Sequence, residues 1–126
     1  MKLTDQIKLE EAAMFIASFI LFYWGNFYWW LFPALILAPD ISMLGYLVNT
    51  KVGAFSYNLF HNKAIAIAIE LVGLHFGNNY FIIAGLILFG HASMDRIFSY
   101  GLKFDDAFQH THLGWIGKKA EDNQEI

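Results

Sequence analysis

Apolar residues along the chain fall into four long runs separated by short polar breaks. The first begins among charged residues near Asp5 and stops at Gly25-Asn26, a turn signal. The second extends from Phe27 to about Val48 and ends at Asn49-Thr50-Lys51. The third, from about Val52 to Phe76, ends at Gly77-Asn78-Asn79, and the fourth occupies Tyr80 to about Tyr100. Crossing the hydrocarbon of a bilayer takes about 20 helical residues at about 1.5 Å each. The pattern therefore predicts an all-α integral membrane protein, a single membrane domain over 1–126 with a polar cytoplasmic tail over 101–126. Its four transmembrane helices are expected at about 5–24, 27–48, 52–76 and 80–100. Short turns between them predict an up-down-up-down bundle. Pro33 and Pro39 predict a kink or a broken turn just before Asp40.

Composition supports the same class. Only 15% of residues are charged and 57% are hydrophobic, against roughly 25% charged in an ordinary soluble domain. Between Ala12 and Met94 the charged residues are Asp40, Lys51, Lys63 and Glu70 alone. A chain this small has too much surface to hide such a stretch from water, so the expected partner is a lipid bilayer. A net charge of −3 without a basic patch argues against nucleic acid. The absence of cysteine excludes disulfides, thiolate zinc sites and thiol nucleophiles. Lys2 and Lys8 precede an apolar run as in a signal peptide, but no small-residue cleavage site follows Tyr23. The segment is expected to remain as a helix.

Orientation follows from lysine and arginine. The turns at Gly25-Asn26 and Gly77–Asn79 hold neither; all eight such residues lie near the opposite ends of the spans or in the tail. The positive-inside rule makes that face cytoplasmic and predicts N-in, C-in topology in an inner membrane. The other end carries Phe22, Tyr23, Trp24, Phe27, Tyr28, Trp29, Trp30 and Phe32, read as an interfacial aromatic belt with some packing inside the bundle.

Ionisable groups inside a membrane are costly and face the bundle interior. Glu11 and Asp40 each lie 13 residues inward from Trp24 and Phe27; His61 lies 15 from Phe76 and His91 lies 12 from Asn79. At about 1.5 Å per residue all four fall roughly 18–22 Å from the outer surface. One group from each span thus reaches a common layer in the cytoplasmic half. Asp95 follows His91 by four residues and shares its helical face, as co-ligand, base or orienting carboxylate. Tyr57, Asn58 and His61 cluster on one side of the third span. The tail segment containing His110 and His112 is short enough to fold back and cap this layer.

Carboxylates and imidazoles from several helices suit zinc, iron or manganese. The candidate metal ligands are Glu11, Asp40, His61 and His91, with Asp95 and His112 as candidate catalytic acid–base groups. The economical chemistry is metal-activated water attacking an ester or phosphoester of a lipid-like substrate. The alternative is a non-enzymatic membrane subunit or scaffold whose polar layer only holds helices together. Transport is a third reading and would need an oligomer to enclose a pathway. Lys63 is expected to snorkel to the interface, and Arg96 to anchor a lipid head group.

Three stretches carry a resemblance: Leu37-Ala-Pro-Asp-Ile-Ser-Met-Leu-Gly-Tyr46, Tyr57-Asn-Leu-Phe-His61, and His91 through Gly101 followed by Thr111-His-Leu-Gly114. Together they resemble a family of small bacterial integral membrane proteins known as domain of unknown function 4260. That resemblance implies four spans and bacterial origin, and no activity. A weaker similarity is to membrane-bound metal-dependent hydrolases with a Pro-Asp motif and a later Thr-His segment. Pro39-Asp40 and Thr111-His112 match that outline, while Ser42 and Met43 stand where those enzymes carry a further aspartate and histidine.

Overall fold

A computed structural model describes residues 1–117. It is all-α apart from a small two-stranded element in the tail. In chain order the helices are α1 (Leu3–Trp24), α2 (Leu31–Leu35), a 3₁₀ segment (Ala38–Leu47), α3 (Thr50–Phe60), α4 (Lys63–Phe76) and α5 (Asn79–Ile97). The strands β1 (His110–Thr111) and β2 (Gly114–Trp115) pair antiparallel.

Helix starts are set by asparagine. Asn49 caps α3 by accepting from the Val52 N–H at 2.8 Å, and Asn62 caps α4 by accepting from Ala64 N–H at 2.8 Å. Asn78 does the same for α5 through Phe81 N–H at 3.2 Å. Each side chain satisfies a donor left free at a helix start. α4 ends at Gly77 with φ +64°, a left-handed cap that glycine adopts without strain.

The four expected runs are present, but two are broken. The second divides into α2 and the 3₁₀ segment, with Pro39 near the start of the latter, as the prolines predict. The third breaks at His61-Asn62, where Asn62 restarts the helix and the axis bends by 48°. Among the described residues, α5 alone is long and apolar enough to cross a bilayer; α3 and α4 reach that only as a bent pair.

α5 is the central helix, packed against α1 and α4. Gly85 permits close approach to α4, since a Cβ there would lie 2.8 Å from the Glu70 backbone nitrogen. The 3₁₀ segment lies on α3 in the same manner: a Cβ on Gly45 would meet Ser56 Oγ at 2.2 Å and Val52 O at 2.9 Å. Ser56 Oγ also donates to Ser42 O at 2.7 Å, tying the two elements together. At the far end Phe32 of α2 sits edge-on against Phe15, Phe19 and Phe22 of α1, with Leu86 and Ile87 of α5 completing the apolar cluster. The aromatic run therefore divides: Phe22 and Phe32 are buried, while Tyr23, Trp24, Tyr28, Trp29 and Trp30 are exposed.

Candidate metal centre

Three parts of the fold deliver one group each, or two, to a single point. Asp40 stands in the first turn of the 3₁₀ segment, His61 at the α3–α4 break, and His91 and Asp95 on one face of α5. One ligand atom from each of the four lies within 4.8 Å of those from the others. His61 Nε2 is 3.1 Å from Asp40 Oδ1 and 3.4 Å from Asp95 Oδ2. His91 Nε2 is 3.0 Å and 3.3 Å from the same two oxygens.

The other nitrogen of each ring decides what these contacts are. His61 Nδ1 lies 2.8 Å from the Tyr57 carbonyl and His91 Nδ1 lies 2.5 Å from the Ile36 carbonyl. A carbonyl only accepts, so each Nδ1 carries its proton and donates. A neutral ring then presents Nε2 as a bare lone pair. A protonated ring would donate Nε2–H to Asp40 or Asp95; with both rings neutral, two nitrogen lone pairs and two carboxylate oxygens face one another with no proton between them. Such a set is repulsive unless a cation sits in the middle. Tetrahedral coordination with bonds of about 2.0–2.1 Å puts neighbouring ligand atoms about 3.3 Å apart, which is the spacing of the four contacts.

Supporting contacts hold the ligand atoms. The Tyr57 hydroxyl donates to Asp95 Oδ2 at 3.2 Å, and its ring stacks on His61 at 3.7 Å. Arg96 donates to the His61 carbonyl at 3.0 Å, capping the broken end of α3, and to the Tyr100 carbonyl at 3.1 Å. Both histidines are fully buried, whereas the Asp40 side chain is 33% exposed. The imidazoles and the buried Asp95 form the closed back of the site and Asp40 its open edge. A cavity of about 410 Å³ lies on that edge, lined by Asp40, Asp95, Tyr57 and Lys103 among others.

The tail builds the outer wall. Asn58 of α3 pairs with the backbone of Lys103 in both directions, accepting from its N–H at 2.6 Å and donating to its carbonyl at 2.8 Å. Lys103 is thereby turned inward and buried, with Nζ 3.9 Å from the centre of the Phe108 ring and 4.8 Å from that of Tyr57. Burial pushes its ammonium down to about 8, with the Asp95 and Asp40 charges opposing. His110 stacks on Trp115 at 4.1 Å and its Nδ1–H donates to the Asp106 carboxylate at 2.9 Å, away from the cluster. Asp106 is held below the usual carboxylate range chiefly by that His110 contact.

Two residues expected at the layer stand elsewhere. Glu11 reaches across to α4 and forms an ion pair with Lys63, which therefore turns inward instead of snorkelling. His112 lies against Gly101 in the tail, its Nδ1 accepting from the Leu102 N–H at 2.8 Å. Burial, then the Arg96 charge, lowers its pKa, in keeping with a neutral acceptor ring. Sequence reasoning missed the inward turn of Lys103. Its signal was Asn58, beside Tyr57 on the face that carries His61, which clamps the tail backbone.

The family described as a domain of unknown function (DUF4260) matches residues 4–116. The chain belongs to that family. No curated protein and no solved structure matches it. The DUF4260 match spans all four residues of the cluster as well as Lys103 and His112.

Proposed function

We propose that this DUF4260 chain is a multi-pass protein of the bacterial inner membrane whose Asp40–His61–His91–Asp95 cluster binds a divalent metal and hydrolyses an ester or phosphoester of a lipid-like substrate. The observation that carries the metal reading is the pair of Nδ1–H donations to backbone carbonyls. They turn both Nε2 lone pairs onto two carboxylate oxygens at 3.0–3.4 Å. Two neutral imidazoles and two carboxylates balance a dication. Zinc, iron or manganese suits this donor set.

The membrane reading rests on three features. Large apolar side chains such as Leu44, Leu47, Phe55, Leu71 and Leu74 are exposed along the helices, and exposed Trp24, Trp29 and Trp30 gather at one end. Residues 31–47, five α-helical and most of the rest 3₁₀, extend about 30 Å if aligned, near the thickness of the hydrocarbon. Lysines and arginines gather at the other end, in keeping with N-in, C-in and a four-span, single-domain bundle.

For hydrolysis the site needs room for water on the carboxylate edge. Asp40 is the more open carboxylate there. A bound metal would lower the pKa of a water towards about 7. Asp40, His61 and His91 would hold the ion and leave one position for water, and Asp95, oriented by Tyr57, would be the base that takes the water proton and returns it to the departing alcohol oxygen. The ester C–O or P–O bond breaks, one water is consumed, and an acid and an alcohol result. The test is turnover of short-chain p-nitrophenyl ester and phosphoester substrates by detergent-purified protein, metal-loaded and chelated. We expect hydrolysis by the loaded protein only, reduced at least 100-fold in Asp40→Asn. A protein that holds its ion and hydrolyses neither substrate contradicts the enzyme reading and leaves the cluster as a structural metal site.

A further inference from the structure

Lys103 has no role in holding the four ligand atoms, yet it is buried in the wall beside them. Its relative exposure is 6%, and its Nζ stands 3.9 Å from the centre of the Phe108 ring and 4.8 Å from that of Tyr57, at the wall of the cavity. Two aromatic faces attract the charge but offer no lone pairs to its three N–H donors. Those donors are left to whatever fills the cavity. Beyond Asp40, Asp95, Tyr57 and Tyr100, the cavity it opens into is walled by Leu37, Met43, Met94, Phe98, Phe108 and Ile116. Leu37 and Phe98, each 62% exposed, give that cavity an apolar rim. At about 410 Å³ it has room for roughly a dozen water-sized groups, enough for a head group and the first carbons of a tail.

Charge narrows the ligand. A dication neutralises Asp40 and Asp95, so Lys103 leaves the loaded cavity with one net positive charge. Arg96, which donates to the His61 and Tyr100 carbonyls, does not line the cavity, and its charge has the same sign as that of Lys103. Phosphate monoesters carry about −1.5 to −2 charges at pH 7; neutral esters carry none.

We propose that this cavity takes the phosphate monoester of a lipid alcohol, with Lys103 binding the phosphoryl oxygens and the apolar walls binding the tail. This rests on the metal-dependent hydrolase reading above and narrows its substrate. In the reaction, water oxygen bonds to phosphorus, the P–O bond to the lipid breaks, and the leaving oxygen takes a proton. The products are inorganic phosphate and the alcohol.

The experiment measures equilibrium binding of decyl phosphate (presented as its non-hydrolysable phosphonate analogue), decanol and inorganic phosphate to full-length protein in maltoside detergent, with bound metal quantified in every sample. Metal-loaded wild type should bind decyl phosphate at least tenfold more tightly than either decanol or inorganic phosphate. Lys103→Met should bring decyl phosphate to the decanol level while retaining its ion, and Lys103→Arg should keep the preference. Removing metal from wild type should also abolish it, a comparison that requires no variant. Equal binding of decyl phosphate and decanol to the loaded wild type overturns the proposal, as does inorganic phosphate binding as tightly as decyl phosphate. A preference that persists in a Lys103→Met protein holding its ion overturns the role of Lys103. Wild type that takes up no metal is a failure of the underlying metal reading and is recognised from the metal content itself.

Discussion

Two ionic clusters lie close together in this apolar chain and are built on opposite principles. Glu11 and Lys63 join α1 to α4 as an acid and a base, so the pair is neutral and complete as it stands. Asp40, His61, His91 and Asp95 join the 3₁₀ segment, the α3–α4 break and α5. With both rings neutral and each Nδ1 donating to its carbonyl, their facing atoms are all acceptors. The first cluster lowers its own electrostatic cost; the second raises it unless a cation is supplied. The contrast separates a helix-holding pair from a binding site more clearly than burial does, since both lie largely out of solvent.

Adding metal should show the difference at its largest. At a free metal concentration about 100 times Kd, a ligand bound only by the folded state stabilises by about 2.7 kcal/mol. Wild type and Glu11→Gln should both gain a thermal shift of that origin, and His91→Gln should gain none. A shift lost in Glu11→Gln but kept in His91→Gln would reverse the assignment of the two clusters.

Tyr57→Phe probes the support of the site. It removes the donor to Asp95 Oδ2 while keeping the ring stacked on His61. Loss of such an orienting hydrogen bond lowers metal affinity by about 10–100-fold; the lower end is expected, because Asp95 keeps its contacts with both rings. Competition against a chromogenic chelator measures it, and an unchanged Kd would show that the phenol plays no part. The smallest effect belongs to the ion pair: Glu11→Gln without metal should cost about 1 kcal/mol, between the values for exposed and buried pairs. A cost of about 3 kcal/mol or more, the size for breaking a fully buried pair, would contradict the reading of Glu11–Lys63 as a modest helix tie.

Depth was legible from sequence because helical rise is constant, and Asp40, His61 and His91 do meet. Asp95 was legible from its i,i+4 spacing. Glu11 shares their depth but not their direction, since depth fixes one coordinate of a side chain and helix rotation fixes the other. Pro39 announced the break in the second run. The break in the third was signalled more faintly by Asn62, a capping residue set between apolar stretches, like Asn49 and Asn78. That break is what frees His61 to stand at a helix end. Lys103 could not be read at all from local pattern, because its position depends on the Asn58 clamp across 45 residues.

The central claim is that these four side chains form a divalent-cation site, and the most direct measurement is elemental analysis of protein purified without a polyhistidine tag. Wild type, alone or after addition of zinc, manganese or iron and removal of excess, should hold about one ion per chain, and His61→Gln and His91→Gln less than about a tenth. Wild type that stays below about a tenth of an ion per chain with all three metals would contradict the account.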